Sequence, residues 1–377
     1  MTPVAAPPVA RPRLSRAQVA AERAPMARAQ LAECRFCAHD CGANRLAGET
    51  GPCHAGPETR FFSAQTEVTD ETELIPTFAI ALSGCDLRCA FCITGKNSWN
   101  PRAGAAFSAP EMAAQASLAL RRGARTIMVL GGEPTIHLPA VLELIAHLPD
   151  RARLVWKTNA HGSAQARELL AGLFDVWLPD FKFGNDACAR RLAQTPDYVR
   201  IVQENLLWAD KHSELIVRHL LMPGHVDCCW RPIAWWLAAH LPGVKVSLRD
   251  GFWPAWQAAR HPELIGKLPN EFAPCPHEPM AVFSPNAGTT SPSPGGQGRD
   301  EHSPKHSRIE LLNHPVHAIG KTQGAFLPLR VGGVGGADGE RAGVRCSFHH
   351  LEVSGKGGTE TQRAFALARE LGLNLIT

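Results

Sequence analysis

A chain of 377 residues, 45% hydrophobic and 20% charged, has the composition of a globular protein with one large core or two modest ones, not of a disordered segment. Its net charge of +4 is nearly accounted for by the five Arg and one Glu of residues 1–30, so a basic nucleic-acid face is not indicated. No apolar run approaches the roughly 20 residues of a membrane helix, which argues against a membrane partner.

Residues 1–30, rich in Ala, Pro and Arg, read as a disordered leader without the apolar stretch of a secretory signal. Twelve Cys in such a chain point to metal ligation before disulfides, and hence to a cytoplasmic setting. Residues 31–75 then present Cys34-x2-Cys37-x3-Cys41-x11-Cys53, with Gly42, Gly48, Gly51 and Pro52 as turn residues. This section is too short to build its own core, so a bound metal explains its folding. Zinc and an auxiliary iron-sulfur cluster fit four thiols equally well. His39 and His54 read as solvated loop residues.

From 76 to 275 strand-like runs alternate with helical ones. Strands are expected at 76–84, 124–132, 152–159, 174–182, 214–224 and 244–250, each short and rich in β-branched and apolar residues. Between them, Ser108 and Glu111 have capping-box spacing, and Leu138, Leu142 and Ile145 share one helical face. Six such units predict an α/β fold, a partial (β/α)6 parallel barrel, with its chemistry at the carboxyl ends of the strands. A Pro/Gly/Ser linker over 276–306 leads to a carboxyl-terminal extension, 307–377, that holds no recognisable chemistry but ends in a helix near Gly372.

Unusual residues collect at the expected strand ends. The first gives Cys85-x3-Cys89-x2-Cys92, three thiols on one loop that can wrap a face of a four-iron, four-sulfur cluster and leave one iron open. A zinc ion with a distant fourth ligand is the alternative at this point. The second strand ends in Gly131-Gly132-Glu133-Pro134, where glycines permit close backbone approach to a ligand and the carboxylate can receive an ammonium group. The plainer reading is a strand-to-helix turn started by Pro134.

A cysteine loop after one strand and GGEP after the next resemble the signature of the radical S-adenosylmethionine (SAM) superfamily. The chain is also similar to the pyruvate formate-lyase activating enzymes and related activases that carry an amino-terminal four-Cys module. That similarity covers Cys34 to Pro254 through CRFCAHDCGANRLAGETGPCHAG, SGCDLRCAFC, GGEP, KTN at 157–159, LPDFKF at 178–183 and IVRHLLMPG at 216–224. The resemblance implies a 4Fe–4S cluster on Cys85, Cys89 and Cys92 as the catalytic centre, with SAM at its open iron. Gly131, Gly132 and Glu133 would meet the methionyl ammonium, Asp180 and Lys182 would contact SAM, and Arg218 would reach its carboxylate or ribose. Thr158 and Asn159 match a turn at the same pocket. The activity implied is formation of a 5′-deoxyadenosyl radical that abstracts hydrogen, with flavodoxin or ferredoxin as reductant and a glycyl-radical protein as partner.

Two alternatives stay open: a maturase acting on another protein, peptide or small molecule, and a non-catalytic iron-sulfur or zinc scaffold. The stretch SLRDGFWPAW (247–256) departs from the family pattern, with Phe252 and Trp253 where activases of the best-known kind carry a His-containing motif. Asp180 and Lys182, two apart on a strand, share a face and can pair with each other. Arg218 and His219 face opposite ways, and Arg218 is expected at the barrel mouth. Adjacent Cys228 and Cys229 read as packing residues, and Cys188, Cys275 and Cys346 as isolated. His349 and His350 beside Cys346 read as an exposed polar turn.

Overall fold

The computed structural model describes residues 14–69, 71–265 and 359–376. The chain divides into one unit formed by 1–277 with 352–377 and a second formed by 278–351. The second unit, the expected linker at 276–306, Cys275, Cys346, His349 and His350 lie outside the described residues.

In chain order the first unit contains α1 (Arg16–Ala29), β1 (Arg60–Glu67), β2 (Thr77–Leu82), α2 (Lys96–Trp99), β3 (Ala105–Ala106), α3 (Ala109–Arg121), β4 (Thr126–Gly131) and α4 (Leu138–His147). There follow β5 (Leu154–Thr158), α5 (Ala164–Leu170), β6 (Val176–Pro179), α6 (Asp186–Ala193), α7 (Tyr198–His212), β7 (Glu214–Leu220), α8 (Arg231–His240), β8 (Lys245–Arg249), α9 (Glu360–Glu370) and β9 (Asn374–Ile376). The sheet order is β3-β1-β2-β4-β5-β6-β7-β8-β9. Every neighbouring pair from β2 to β9 is parallel, while β1 lies antiparallel to both β2 and β3. This is the expected α/β barrel-like architecture, with all six anticipated strands in place.

Each strand divides its side chains between two apolar layers, as a period of two requires. Met128, Val155, Val176, Leu178 and Ile216 form an inner cluster with Leu74. Ile127, Val129, Leu154, Trp156, Trp177 and Val217 face the larger cluster shared with the helices. Segment 71–74 joins the inner side: Leu74 is buried there, and fully buried Glu71 accepts a 2.8 Å hydrogen bond from Ser247 Oγ.

Three expectations need correction, two of them at the chain's edges. Residues 16–29 of the expected disordered leader form α1, whose Ala20, Ala24 and Ala27 are buried in the main cluster with Leu31. Composition hides this because alanines contribute a close-packing surface without looking like a core. Ser15 closes a capping box with Gln18, and Arg23 donates to the Leu169 and Ala171 carbonyls at 3.0 and 2.6 Å. At the other end, residues 360–376 of the expected extension supply α9 and β9, the latter pairing with β8. Trp230 Nε1 donates to Ala364 O at 3.0 Å, tying α9 to the barrel helices. Finally, Ser108 stands at the start of α3, but its hydroxyl makes no capping bond.

Two buried histidines make stability depend on pH. Burial, aided by the charge of Arg45, pushes His137 down to about 3, and burial pushes His219 down to about 4. An unfolded chain protonates both near pH 6.5, so below that it binds more protons than the fold. Their contribution is therefore complete above about pH 6.5 and falls as pH drops toward 4, by up to about 1.4 kcal/mol per unit for each ring. Urea unfolding at pH 7, 6 and 5 should show the decline, and His137→Gln should remove one share of the slope.

Candidate active site

The loop after β2 carries Cys85, Cys89 and Cys92, the first two buried and the third half-buried. Gly84 turns the chain at φ +92°, and the Leu87 backbone N–H donates to Cys85 Sγ at 3.4 Å. Burial raises the Cys85 thiol pKa well above its usual range, helped by the charges of Asp86, Cys89, Glu133 and Cys92. Burial likewise pushes Cys89 up to about 12, against the opposing charge of Lys182. Thiols as desolvated as those of Cys85 and Cys89 become thiolates only with a compensating positive centre beside them.

The Gly131-Gly132-Glu133 turn has a more local cause than ligand approach. A Cβ on Gly131 would stand 2.2 Å from Leu82 N, and one on Gly132 1.8 Å from Gly84 O. The glycines thus let the end of β4 lie against the end of β2, with Gly132 N donating to Leu82 O and Glu133 N to Gly84 O, both at 2.8 Å. This contact brings Glu133 beside the cysteine loop. Its carboxylate accepts from Thr135 N, Thr135 Oγ1, Thr158 Oγ1 and Asn159 N at 3.1, 2.5, 2.7 and 2.7 Å. Burial, then the charge of Asp86, pushes Glu133 up to about 7 despite these donors. Pro134 does start a short helical turn, so the plain reading of this motif holds alongside any ligand role.

Asp86, absent from the sequence reading, is the hub of the site. Fully buried, it accepts from Asn159 Nδ2 at 2.7 Å and pairs with His161 Nδ1 at 2.8 Å. Burial works to raise its pKa, but the His161 and Asn159 contacts outweigh that and hold it below the usual carboxylate range. Asn159 Nδ2 also lies 3.7 Å from Cys85 Sγ, and Thr195 Oγ1 meets His161 Nε2 at 3.2 Å. Thr158 and Asn159 accordingly position Glu133 and Asp86 around the cysteines. The hint in sequence was slight: an Asp inside an otherwise buried cysteine loop.

The amino-terminal cysteines dock against this hub. Cys37 bridges to Gly162 in the loop after β5, and Arg88 of the cysteine loop donates to Pro52 O. His39, expected to be solvated, is half-buried with Nε2 3.0 Å from Asp86 O, whereas His54 is exposed as expected. Cys34, Cys37 and Cys53 are buried and Cys41 is exposed. Burial raises both the Cys37 and Cys53 pKa values, and each thiol feels the charge of Cys34. Cys41 Sγ instead packs 3.8 Å from Cys34 O at the rim, so the four do not close evenly around one point.

Across the mouth, Asp180 and Arg218 sit side by side on neighbouring strands. Lys182 Nζ donates to Asp180 Oδ2 at 2.7 Å, while Arg218 Nε lies 3.4 Å from Asp180 Oδ1 and 3.3 Å from Glu71 Oε1. The anticipated Asp–Lys pairing therefore forms. Burial opposes ionisation of both, but their mutual attraction prevails, lowering Asp180 and raising Lys182. His219 faces away, with Nδ1 2.7 Å from Phe181 O and its ring stacked on Trp230 at 5.1 Å.

The departing stretch after β8 folds over the cysteine loop. Phe252 lies 6.0 Å from Phe91, Trp256 lies 5.7 Å from Trp99, and Gln257 N donates to Ala90 O at 2.8 Å. Trp253 is 69% exposed and so leaves an aromatic surface beside the mouth. Cys228 and Cys229 are buried in the main core cluster, as the packing reading expects, whereas Cys188, expected to be isolated, lies beside them. With His225 the three cysteines bring four ligand atoms within 4.8 Å of one another, and His39, Asp86 and His161 bring three within the same distance. Among the described residues no helix is long and apolar enough to cross a membrane.

Comparison with known proteins identifies a family for the central part of the chain. The family model described as the radical SAM superfamily matches residues 80–236, from β2 into α8. "Uncharacterized protein MJ0674" of Methanocaldococcus jannaschii is 31% identical over 248 residues, 63% of this chain and 71% of the relative. The 7-carboxy-7-deazaguanine synthase of Methanothermobacter thermautotrophicus is 33% identical over 103 residues, 27% of this chain and 40% of that protein. Among solved structures, Streptococcus suis SuiB bound to precursor peptide SuiA is 17% identical with a TM-score of 0.37, covering 44% of this chain and 36% of that one. SuiB bound to S-adenosylmethionine is 16% identical, also with a TM-score of 0.37, covering 45% of this chain and 40% of that one.

Proposed function

The chain belongs to the radical SAM superfamily, and on that premise we propose that it cleaves SAM reductively and uses the product to abstract hydrogen from a substrate. The family implies a 4Fe–4S cluster and SAM. The donor set fits: Cys85, Cys89 and Cys92 are three thiols on one loop, the first two buried and the third half-buried, and Cys85 Sγ already receives a backbone N–H. A 4Fe–4S cluster held by Cys85, Cys89 and Cys92 would offer SAM a place to bind and, when reduced, would supply the electron that splits its C5′–S bond into methionine and a 5′-deoxyadenosyl radical.

The protein's own task is to hold and orient. Glu133 and the backbone of Gly131 and Gly132 would receive the methionyl ammonium, while Thr158 and Asn159 keep the Glu133 carboxylate aimed beside the cysteines. Asp180, Lys182 and Arg218 would bind the carboxylate and ribose, each held ready by its neighbours. One observation carries this reading above the rest. Glu133 N donates to Gly84 O at 2.8 Å, and Asn159 links the two motifs, its N–H 2.7 Å from Glu133 Oε2 and its Nδ2 3.7 Å from Cys85 Sγ, so the GGEP turn abuts the loop that carries the cysteines.

For the substrate we favour a glycine in a partner protein, as the similarity to pyruvate formate-lyase activating enzymes suggests, with flavodoxin or ferredoxin as reductant. A second reading, a maturase of another protein, peptide or small molecule, draws on the aromatic stretch at 250–257 that replaces the activase motif. Anaerobically reconstituted protein given SAM and dithionite is expected to release 5′-deoxyadenosine and methionine in equal amounts. Absence of deoxyadenosine would leave only a metal-binding scaffold. A glycyl-radical protein encoded near this gene should then acquire a stable doublet in its electron paramagnetic resonance spectrum. Deoxyadenosine without that doublet would favour the maturase.

A further inference from the structure

We propose that Cys188, His225, Cys228 and Cys229 bind a single zinc ion that staples the loop after β6 to the loop after β7. Cys188 lies in the first turn of α6, and the other three lie 37 to 41 residues later at a π-helical turn, Val226–Trp230. All four are buried.

The spacing is that of a mononuclear tetrahedral centre. With Zn–S near 2.3 Å and Zn–N near 2.0–2.1 Å, a tetrahedron places sulfurs about 3.8 Å apart and sulfur about 3.5 Å from nitrogen. Cys228 Sγ lies 3.9 Å from both Cys188 Sγ and Cys229 Sγ. His225 Nδ1 lies 3.6, 3.2 and 3.6 Å from the sulfurs of Cys188, Cys228 and Cys229. These separations are too long for a disulfide, whose sulfurs sit about 2.05 Å apart.

Without an ion the thiols share hydrogen bonds among themselves, with the imidazole, with Asn185 Nδ2 and with Gly224 O. A cation at the centre would take all four ligand atoms at once. Adjacent cysteines are poor chelators on a regular helix, but the widened turn, in which both Cys229 N and Trp230 N donate to His225 O, brings both thiols to the imidazole.

Surrounding groups are arranged as a support for such a centre. Asn185 caps α6 by accepting from Cys188 N at 2.8 Å, and its Nδ2 donates to Cys228 O at 2.7 Å while lying 3.2 Å from Cys188 Sγ. A Cβ on Gly184 would stand 2.2 Å from Cys229 O, so the two loops already touch through backbone. Four protein ligands leave no open position, which marks a structural ion rather than a catalytic one. Asp180 and Lys182 lie in the same loop between β6 and α6, so the ion would brace the mouth that holds them. The inference does not rest on SAM chemistry.

Zinc content of the full-length protein, purified and washed with EDTA, tests it. Wild type and Cys53→Ser are expected to keep about one zinc per chain, and Cys188→Ser and His225→Ala to lose at least about 90% of it. Unchanged zinc in Cys188→Ser, or loss confined to Cys53→Ser, would overturn the proposal. Should the first two variants prove insoluble, X-ray absorption at the zinc edge of the Cys53→Ser chain decides. Three sulfurs near 2.3 Å with one nitrogen near 2.0 Å support the site; an all-sulfur shell, or no zinc, rejects it.

Discussion

Cys89→Ala is expected to lower 5′-deoxyadenosine formation more than about 1000-fold, equivalent to some 4 kcal/mol of barrier. Cys89 stands where the charges of Cys92, Asp86, Asp180 and Lys182 are all felt, and burial has already pushed its thiol up to about 12. Without it, two thiols remain for a cluster of four irons, while Lys182 keeps its ion pair with Asp180. Iron content should fall by about four atoms per chain in parallel. Cys41→Ser makes a useful contrast, because Cys41 lies exposed at the rim and is expected to change the rate less than about threefold. Equal deoxyadenosine yield from Cys89→Ala and wild type would show that these thiols do not hold the reacting centre.

Asp86→Ala is expected to destabilise the fold by about 3–5 kcal/mol, the cost of leaving buried partners of a removed carboxylate unmatched. The change strips His161 and Asn159 of their shared acceptor, and Asn159 in turn positions the Glu133 carboxylate through its backbone N–H. Damage therefore reaches both the cysteine loop and the GGEP turn. Urea unfolding measures the loss, and cluster reconstitution should fall with it. Asp86→Asn keeps an acceptor for one neighbour and is expected to lose roughly half as much. A midpoint for Asp86→Ala that corresponds to less than about 1 kcal/mol would remove Asp86 from its central place.

Much of the barrel was legible because its signals are short-range. Strand alternation needs only a few consecutive residues, and the C-x3-C-x2-C and GGEP motifs each fit within one turn. The six strands and the strand-end placement of Cys85, Glu133 and Asp180 follow from such local patterns. Helix α1 was missed because its buried stripe is built from Ala20, Ala24 and Ala27, whose value lies in how closely α4 approaches. Strand β9 was missed because Asn374–Ile376 is too short to declare itself without β8 beside it. His39 passed for a solvated loop residue because its partner, Asp86, is 47 positions away.

The sequence by itself determined the order of the six central strands, the loop that offers three thiols, and the family to which those thiols point. It determined these because backbone preference and ligand spacing are properties of neighbouring residues. Tertiary structure alone decided that Asp86 gathers His161 and Asn159. It also decided that Gly132 serves the approach of β4 to β2, and that Cys188 meets Cys228, Cys229 and His225. Each of those depends on distances between segments that only the folded chain brings together, where burial turns a polar side chain without a partner into a cost of several kcal/mol.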